Sequence, residues 1–150
     1  MSKFKFRLAT LLRLREAARD QRREELAEAY RVDDVLRERL RRVGEELGWL
    51  KHRCRKVVGP GTVDVDGLVE AQRYELTLRA RQQELGQQCE TVAEEIRRRQ
   101  RVLVEANRDV RVLEKLRQNQ ARNHRCQQAR RETKQLDEMA QQRFVREEAG

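Results

Sequence analysis

The strongest constraint in the sequence is a seam of mostly apolar residues that recurs in alternate steps of three and four. Its positions are Leu68, Ala71, Glu75, Leu78, Gln82, Leu85, Cys89, Val92, Ile96, Arg99, Leu103, Ala106, Val110 and Leu113. A β-strand would repeat every two residues, and a helix on a globular protein would show a wider apolar face. A spacing of three and four that is kept over about six heptads indicates a coiled coil, in which a long helix buries one narrow line against another helix.

A second seam with the same spacing precedes the first. It runs through Leu26, Ala29, Asp33, Leu36, Leu40, Val43, Leu47, Leu50, Cys54 and Val57. Only Asp33 interrupts its apolar character. Residues 58–67 separate the two seams and contain Pro60, the only proline, with three of the seven glycines. This composition predicts the break between two helices.

Two seams and one short break predict an all-α fold, an antiparallel two-stranded coiled-coil hairpin with a longer C-terminal helix. We expect helix 4–58, turn 59–67 and helix 68–146, which together make residues 1–150 a single domain. Asp64 or Asp66 is the expected N-cap of the second helix. If the chain folds back near residue 63, Leu8 and Leu12 should lie near Val110, Leu113 and Leu116.

The C-terminal part of the second helix is expected to extend beyond its partner. Residues 117–134 continue the seam without apolar side chains, so we predict a solvated helix there. A weak stripe then returns as Leu136, Met139, Ala140 and Phe144. This stripe is too short to hold a helix alone. It should therefore bind another molecule, fray, or fold back onto the N-terminal phenylalanines.

Positive charge is concentrated in two segments of the chain. Residues 1–23 contain eight Lys or Arg against two acids, and residues 97–136 contain thirteen against four. An antiparallel hairpin would place these segments side by side. Such a surface fits an acidic protein partner, and it could also attract nucleic acid electrostatically. The few aromatic residues are not interleaved with the arginines, which argues against recognition of nucleic acid by stacking.

Several classes of function find no support in the residues. No stretch has the roughly 20 apolar residues of a membrane span, and the N-terminus lacks the apolar core of a signal peptide, so we expect a cytoplasmic protein. Cys54, Cys89 and Cys126 are far apart and are expected to be reduced. His52 and His124 have no partners at metal-ligand spacing. Without a phosphate loop or a nucleophile motif, we expect no enzymatic activity and no cofactor.

Three larger apolar side chains depart from the seams. Trp49 and Leu76 lie off them, and Tyr74 lies at the edge of one. All three are within a few helical turns of the predicted break. An exposed tryptophan near a tyrosine and a leucine is typical of a protein-docking patch. The alternative is that the rings lie flat along the side of the coiled coil.

Four segments give the chain a resemblance to a known family. The N-terminal segment Phe4–Glu16, FKFRLATLLRLRE, resembles the start of flagellar FliJ proteins, which are soluble coiled-coil components of the flagellar type III export apparatus. The segments Leu113–Arg117, LEKLR, and Arg131–Ala140, RETKQLDEMA, resemble the C-terminal part of that family. Tyr74–Leu78, YELTL, resembles its segment after the turn, although Ala71 stands where a further aromatic residue is frequent.

The resemblance implies a non-enzymatic stalk, similar in shape to the central γ subunit of rotary ATP synthases. The end that carries both termini would insert into the ring of the export ATPase hexamer. The other end would reach the cytoplasmic domain of the membrane export gate, and the protein would also assist export chaperones. It would thus be cytoplasmic and peripherally associated with the inner membrane through the apparatus.

The resemblance and the charge pattern together suggest two contact sets. The hypothesis for the ATPase ring names Arg15, Arg19, Arg22, Arg117 and Arg131. The hypothesis for the export gate names Trp49, Tyr74, Leu76 and Leu78, where Leu78 lies on the seam and could act by supporting the contact. Two other functions stay open, a structural coiled coil unrelated to secretion that could dimerise through its C-terminal extension, and a basic coiled coil that binds nucleic acid.

Overall fold

The protein is seen in a computed structural model that describes residues 3–57, Gly61 and residues 64–150. Helix α1 spans Ala9–Val57 and helix α2 spans Val65–Glu148. No β-strand occurs among these described residues. The predicted all-α class is therefore confirmed, and the two long helices pack against each other.

The helix boundaries differ from the predicted ones for local reasons. Helix α1 begins at Ala9 and not at residue 4, because the segment before it alternates half-buried Phe4 and Phe6 with exposed charged residues. That period of two belongs to extended backbone. Helix α2 begins at Val65, where the Gly67 amide donates a hydrogen bond to Asp64 Oδ1 at 3.2 Å. Asp64 is therefore the N-cap.

Four residues of the predicted turn 59–67 lie outside the described residues, namely Gly59, Pro60, Thr62 and Val63, and residues 65–67 belong to α2. The contacts of the described chain group it into two compact units. The terminal unit contains Met1–Asp20 and Val104–Gly150, and the central unit contains Gln21–Leu103. Each unit contains a segment of both helices, and each has its own apolar core.

The core of the central unit is built from the two predicted seams. Its buried residues are Leu36, Val43, Leu47, Leu50, Leu78 and Leu85. Polar contacts join Arg99 to the Glu25 carbonyl, Gln100 to the Tyr30 hydroxyl and Tyr74 to Glu46. Glu25 and Tyr30, early in α1, therefore contact residues 99 and 100 of α2, whereas Glu46, late in α1, contacts residue 74, so the helices are antiparallel within this unit.

Asp33 is the one charged side chain buried in the central seam among the described residues. Its Oδ2 accepts a hydrogen bond from Arg37 Nε at 2.8 Å, one helical turn away. Its Oδ1 is buried and has no hydrogen-bond partner. The sequence identified Asp33 as an interruption of the seam, and the structure shows that the carboxylate nevertheless stays inside it.

The terminal unit has a smaller core. Leu12, Val110 and Leu113 are buried together, with Phe6 packed against them. This is the neighbourhood that the antiparallel register predicted for Leu12. Leu8 and Leu116 are more exposed than the core residues.

The C-terminal stripe does not fold back onto the N-terminal phenylalanines. Residues 131–150 are exposed, and α2 continues through them to Glu148. Phe4 instead packs on the His124 ring, with the two ring centroids 5.7 Å apart.

Candidate functional site

Most arginines of the central unit that form ion pairs find an acid on their own helix. Arg41 contacts Glu38 at 2.7 Å, and Arg79 contacts Glu75 at 2.6 Å. Residues three or four apart lie next to each other on a helix surface, so these pairs follow directly from the sequence. The hydrogen bond from Arg41, together with one from Arg42, lowers the pKa of Glu38 to about 2. Much of the positive charge of this unit is therefore compensated locally.

The terminal unit has a segment with no such compensation. Residues 115–131 contain Lys115, Arg117, Arg122, Arg125, Arg130 and Arg131 and no Asp or Glu. None of the Lys, Arg, Asp and Glu side chains within residues 110–150 forms an ion pair with a described residue. We call residues 115–131 the acid-free segment. It is exposed along most of its length.

Part of the acid-free segment forms a shallow groove beside the residues that precede α1. Phe4, Arg117, Arg122, Arg125 and Cys126 line it, and its volume is about 540 Å³. These three guanidinium groups have no acceptor among residues 3–57 and 64–150. Such groups favour carboxylates or phosphates of another molecule.

The five arginines predicted to contact the ATPase are in different environments. Arg15 pairs with Asp109 at 3.5 Å, Arg19 with Asp20 at 3.2 Å and Arg22 with Glu25 at 3.0 Å. Arg117 and Arg131 are exposed and form no ion pair with any residue that the structure describes. Arg22 belongs to the central unit, and the other four belong to the terminal unit.

The sequence reasoning missed Arg122, Arg125 and Arg130. It followed the seam positions, where Arg117 and Arg131 lie, and these three arginines fall between them. The signal that identifies them is the absence of any acid from Lys115 to Arg131.

A second candidate surface lies in the central unit, around Trp49 and Tyr74. Trp49 is 63% exposed, and the Arg53 guanidinium carbon lies 5.2 Å from its ring centroid, a cation–π contact. The Tyr74 hydroxyl donates a hydrogen bond to Glu46 Oε2 at 3.1 Å. Glu46 and Trp49 are three residues apart on α1 and so share a face, which brings Tyr74 to the same side.

The two leucines predicted for this surface are placed differently. Leu76 is 68% exposed, but it lies two residues from Tyr74 on α2 and therefore points to another side of the helix. Leu78 is 1% exposed and belongs to the core of the central unit. Direct contact of Leu78 with a partner is incompatible with that packing. The alternative, in which Leu78 supports the contact without touching the partner, stays a prediction.

The hydrogen bond to Glu46 raises the pKa of the Tyr74 phenol above its ordinary value of 10.0. This hydrogen bond stabilises the neutral phenol in the folded protein. Its contribution to the free energy of unfolding is therefore present at pH values below the ordinary pKa, and it is lost as the pH rises through the raised pKa. We expect Glu46→Gln to bring the Tyr74 pKa back towards 10.0. The measurement is an ultraviolet titration of tyrosinate in a Tyr30→Phe background. A Tyr74 pKa unchanged by Glu46→Gln would contradict the hydrogen bond.

No group of His, Cys, Asp or Glu among the described residues is arranged to hold a metal ion. None of the described helical segments is long and apolar enough to cross a membrane.

Comparison with known proteins identifies the family. No curated protein and no solved structure matches the chain significantly. The family model described as flagellar FliJ protein matches residues 4–149, nearly the whole of the 150-residue chain. This match agrees with the resemblance found in the N-terminal and C-terminal segments. The chain therefore belongs to the flagellar FliJ family and is a component of the flagellar export apparatus.

Proposed function

We propose that this protein is a non-enzymatic stalk and adaptor of the flagellar type III export apparatus. The terminal unit inserts into the ring of the export ATPase hexamer. The Trp49–Tyr74 surface of the central unit binds the cytoplasmic domain of the export gate. The protein also assists export chaperones, and it acts in the cytoplasm while associated with the inner membrane through the apparatus.

The observation that carries this proposal is the uncompensated charge of the acid-free segment. A pair of helices held together by apolar seams needs no positive run on its outer surface. Arg117, Arg122 and Arg125 line a groove without acceptors of their own. Oppositely charged surfaces steer partners together and fix the register of binding, so an acidic lining of the ATPase ring is a fitting partner.

The stalk role also requires the helices to form an antiparallel coiled-coil hairpin. Burial supports this architecture, because nearly all seam positions with described side chains are buried or half-buried and Gln82 is the exposed exception. The antiparallel contacts within the central unit support it as well. A narrow seam of this kind leaves the remaining faces of both helices available to partners.

The Trp49–Tyr74 surface has the chemistry of a docking site. Exposed tryptophan and tyrosine rings are the side chains most enriched among residues that dominate binding energy. Arg53 and Glu46 hold the two aromatic groups in place from the same face of α1. Leu76 would bind the gate only if the partner also wraps around α2.

Charge reversal tests the ATPase contact. Arg117→Glu with Arg131→Glu should weaken binding to the purified export ATPase by about tenfold or more, since it replaces attraction by repulsion. Arg97→Glu with Arg101→Glu is the matched control, because these exposed residues of α2 lie in the central unit and undergo the same change of charge. Binding is measured by calorimetry over a salt series, and circular dichroism monitors the helix content. Equal loss in both variants, or no loss in either, would remove the ATPase contact from the proposal.

Nucleic acid is the second candidate partner, because the acid-free segment would attract any polyanion. The logarithm of the DNA-binding constant would fall steeply and linearly with the logarithm of the salt concentration. Residues 115–131 contain no Phe, Trp or Tyr, so they offer no aromatic stacking platform. A DNA duplex measured beside the ATPase separates the candidates. Tighter binding to DNA than to the ATPase at equal salt would favour the nucleic-acid function.

A further inference from the structure

The last turns of α2 carry an apolar stripe that no other part of the described chain covers. Leu136 is 64% exposed, Met139 56% and Phe144 63%, and Ala140 is exposed between them. The spacing places all four residues on one face of the helix. Burying such a face removes apolar area from water, which favours association.

We propose that this stripe is the site at which two copies of the chain pair with each other, with the two α2 helices antiparallel. The inference is independent of the proposed function. A two-fold interface uses the same patch on both copies, so the patch must be complementary to itself. The sequence around Ala140 meets that requirement.

The residues around Ala140 form a symmetric set. Leu136 lies four residues before it and Phe144 four after it, so an antiparallel copy places each leucine opposite a phenylalanine. Asp137 lies three residues before Ala140 and Arg143 three after it, so each acid meets a base of the second copy. The small side chain of Ala140 at the centre allows the two helices to approach closely.

The charge order distinguishes this arrangement from others. In a parallel pair, Asp137 would face Asp137 and Arg143 would face Arg143, which is repulsive. A lipid surface is also a poorer occupant. Arg143 and Glu147 lie three and seven residues after Ala140, within the width of the stripe, where a membrane-bound helix needs apolar side chains.

The size of the stripe sets the strength of pairing. Four apolar residues on each copy bury less than the roughly 1,200 Å² of a stable protein interface, so the pair should be reversible. We expect a dissociation constant on the order of 100 μM, in the range of weak complexes.

Sedimentation velocity of the full chain over a concentration series tests the proposal. A reducing agent is included because Cys126 is exposed. Leu136→Glu with Phe144→Glu should weaken pairing by at least tenfold. Val145→Glu is the matched control and should leave pairing within about twofold, because Val145 is equally exposed but lies nine residues from Leu136, on the opposite side of the helix. A monomer at every concentration up to about 1 mM, or pairing that survives the double variant, would overturn the proposal.

A charge cycle tests the orientation. Asp137→Arg and Arg143→Asp should each weaken pairing, and the two changes in one chain should restore it. Failure of the combined variant to recover pairing would rule out the antiparallel register.

Binding of the chain to vesicles of phosphatidylglycerol and phosphatidylcholine tests whether lipid occupies the stripe instead. A chain that stays monomeric, but whose vesicle binding is lost with Leu136→Glu and Phe144→Glu, would make lipid the occupant and the proposal wrong. None of these outcomes involves the ATPase, so the proposed function is tested separately.

Discussion

Replacing Leu78 with alanine is expected to lower the free energy of unfolding by about 2–5 kcal/mol. Leu78 is one of the two most completely buried side chains in the described chain, and it packs in the core of the central unit. Truncation removes buried methyl groups and leaves a cavity that straight, regular helices cannot easily close. A loss of this size is a large part of the stability of an ordinary domain.

Leu76→Ala is the control for this change. It removes the same atoms as Leu78→Ala, but Leu76, two residues away, is mostly exposed. It should alter the free energy of unfolding by about 0.5 kcal/mol or less. Urea denaturation followed by circular dichroism compares the two variants. Similar losses in both would mean that Leu78 is not in the core. The same pair also separates the roles proposed at the gate, since Leu76→Ala can weaken gate binding without changing stability.

The fold could be predicted largely from one property of the sequence. A coiled-coil seam is a local repeat, so the positions that must be buried can be identified without knowing the tertiary structure. Leu36, Val43 and Leu85 are buried as the repeat requires. The start of α1 was predicted less well. Phe4 and Phe6 looked like the beginning of a helix, but their alternation with charged residues fits an extended segment packed on α2.

The candidate site could be predicted only in part. Its location in the basic segments follows from counting charges, whereas the residues that remain uncompensated depend on which neighbours form ion pairs. Arg15 and Arg19 have partners that the seam pattern does not reveal. The contact of Tyr74 with Glu46 joins residues far apart in sequence, and it depends on the exact register of the two helices. A heptad repeat by itself is compatible with alignments that differ by whole heptads.

Replacing Asp33 with leucine is expected to raise the free energy of unfolding by about 1–3 kcal/mol, because it removes a buried oxygen that has no hydrogen-bond partner. Leucine also continues the apolar seam. Arg37→Ala should lower the free energy of unfolding, because it leaves the Asp33 carboxylate without its one donor. The loss should be only about 1 kcal/mol, since Arg37 itself is largely exposed. Asp34→Leu is the matched control, because Asp34 is the exposed neighbour. A lower urea midpoint for Asp33→Leu would contradict this account of the seam.

The gain in stability should have a measurable consequence for register. A single polar residue in an apolar seam can specify one alignment of two helices, at a cost in stability. If Asp33 has this role, Asp33→Leu should be more stable but less uniform in alignment. The Tyr74 phenol reports on this directly, since a slipped register separates it from Glu46 and removes the cause of its raised pKa. A stabilised Asp33→Leu variant that keeps the raised Tyr74 pKa would show that the remaining seam fixes the alignment without the carboxylate.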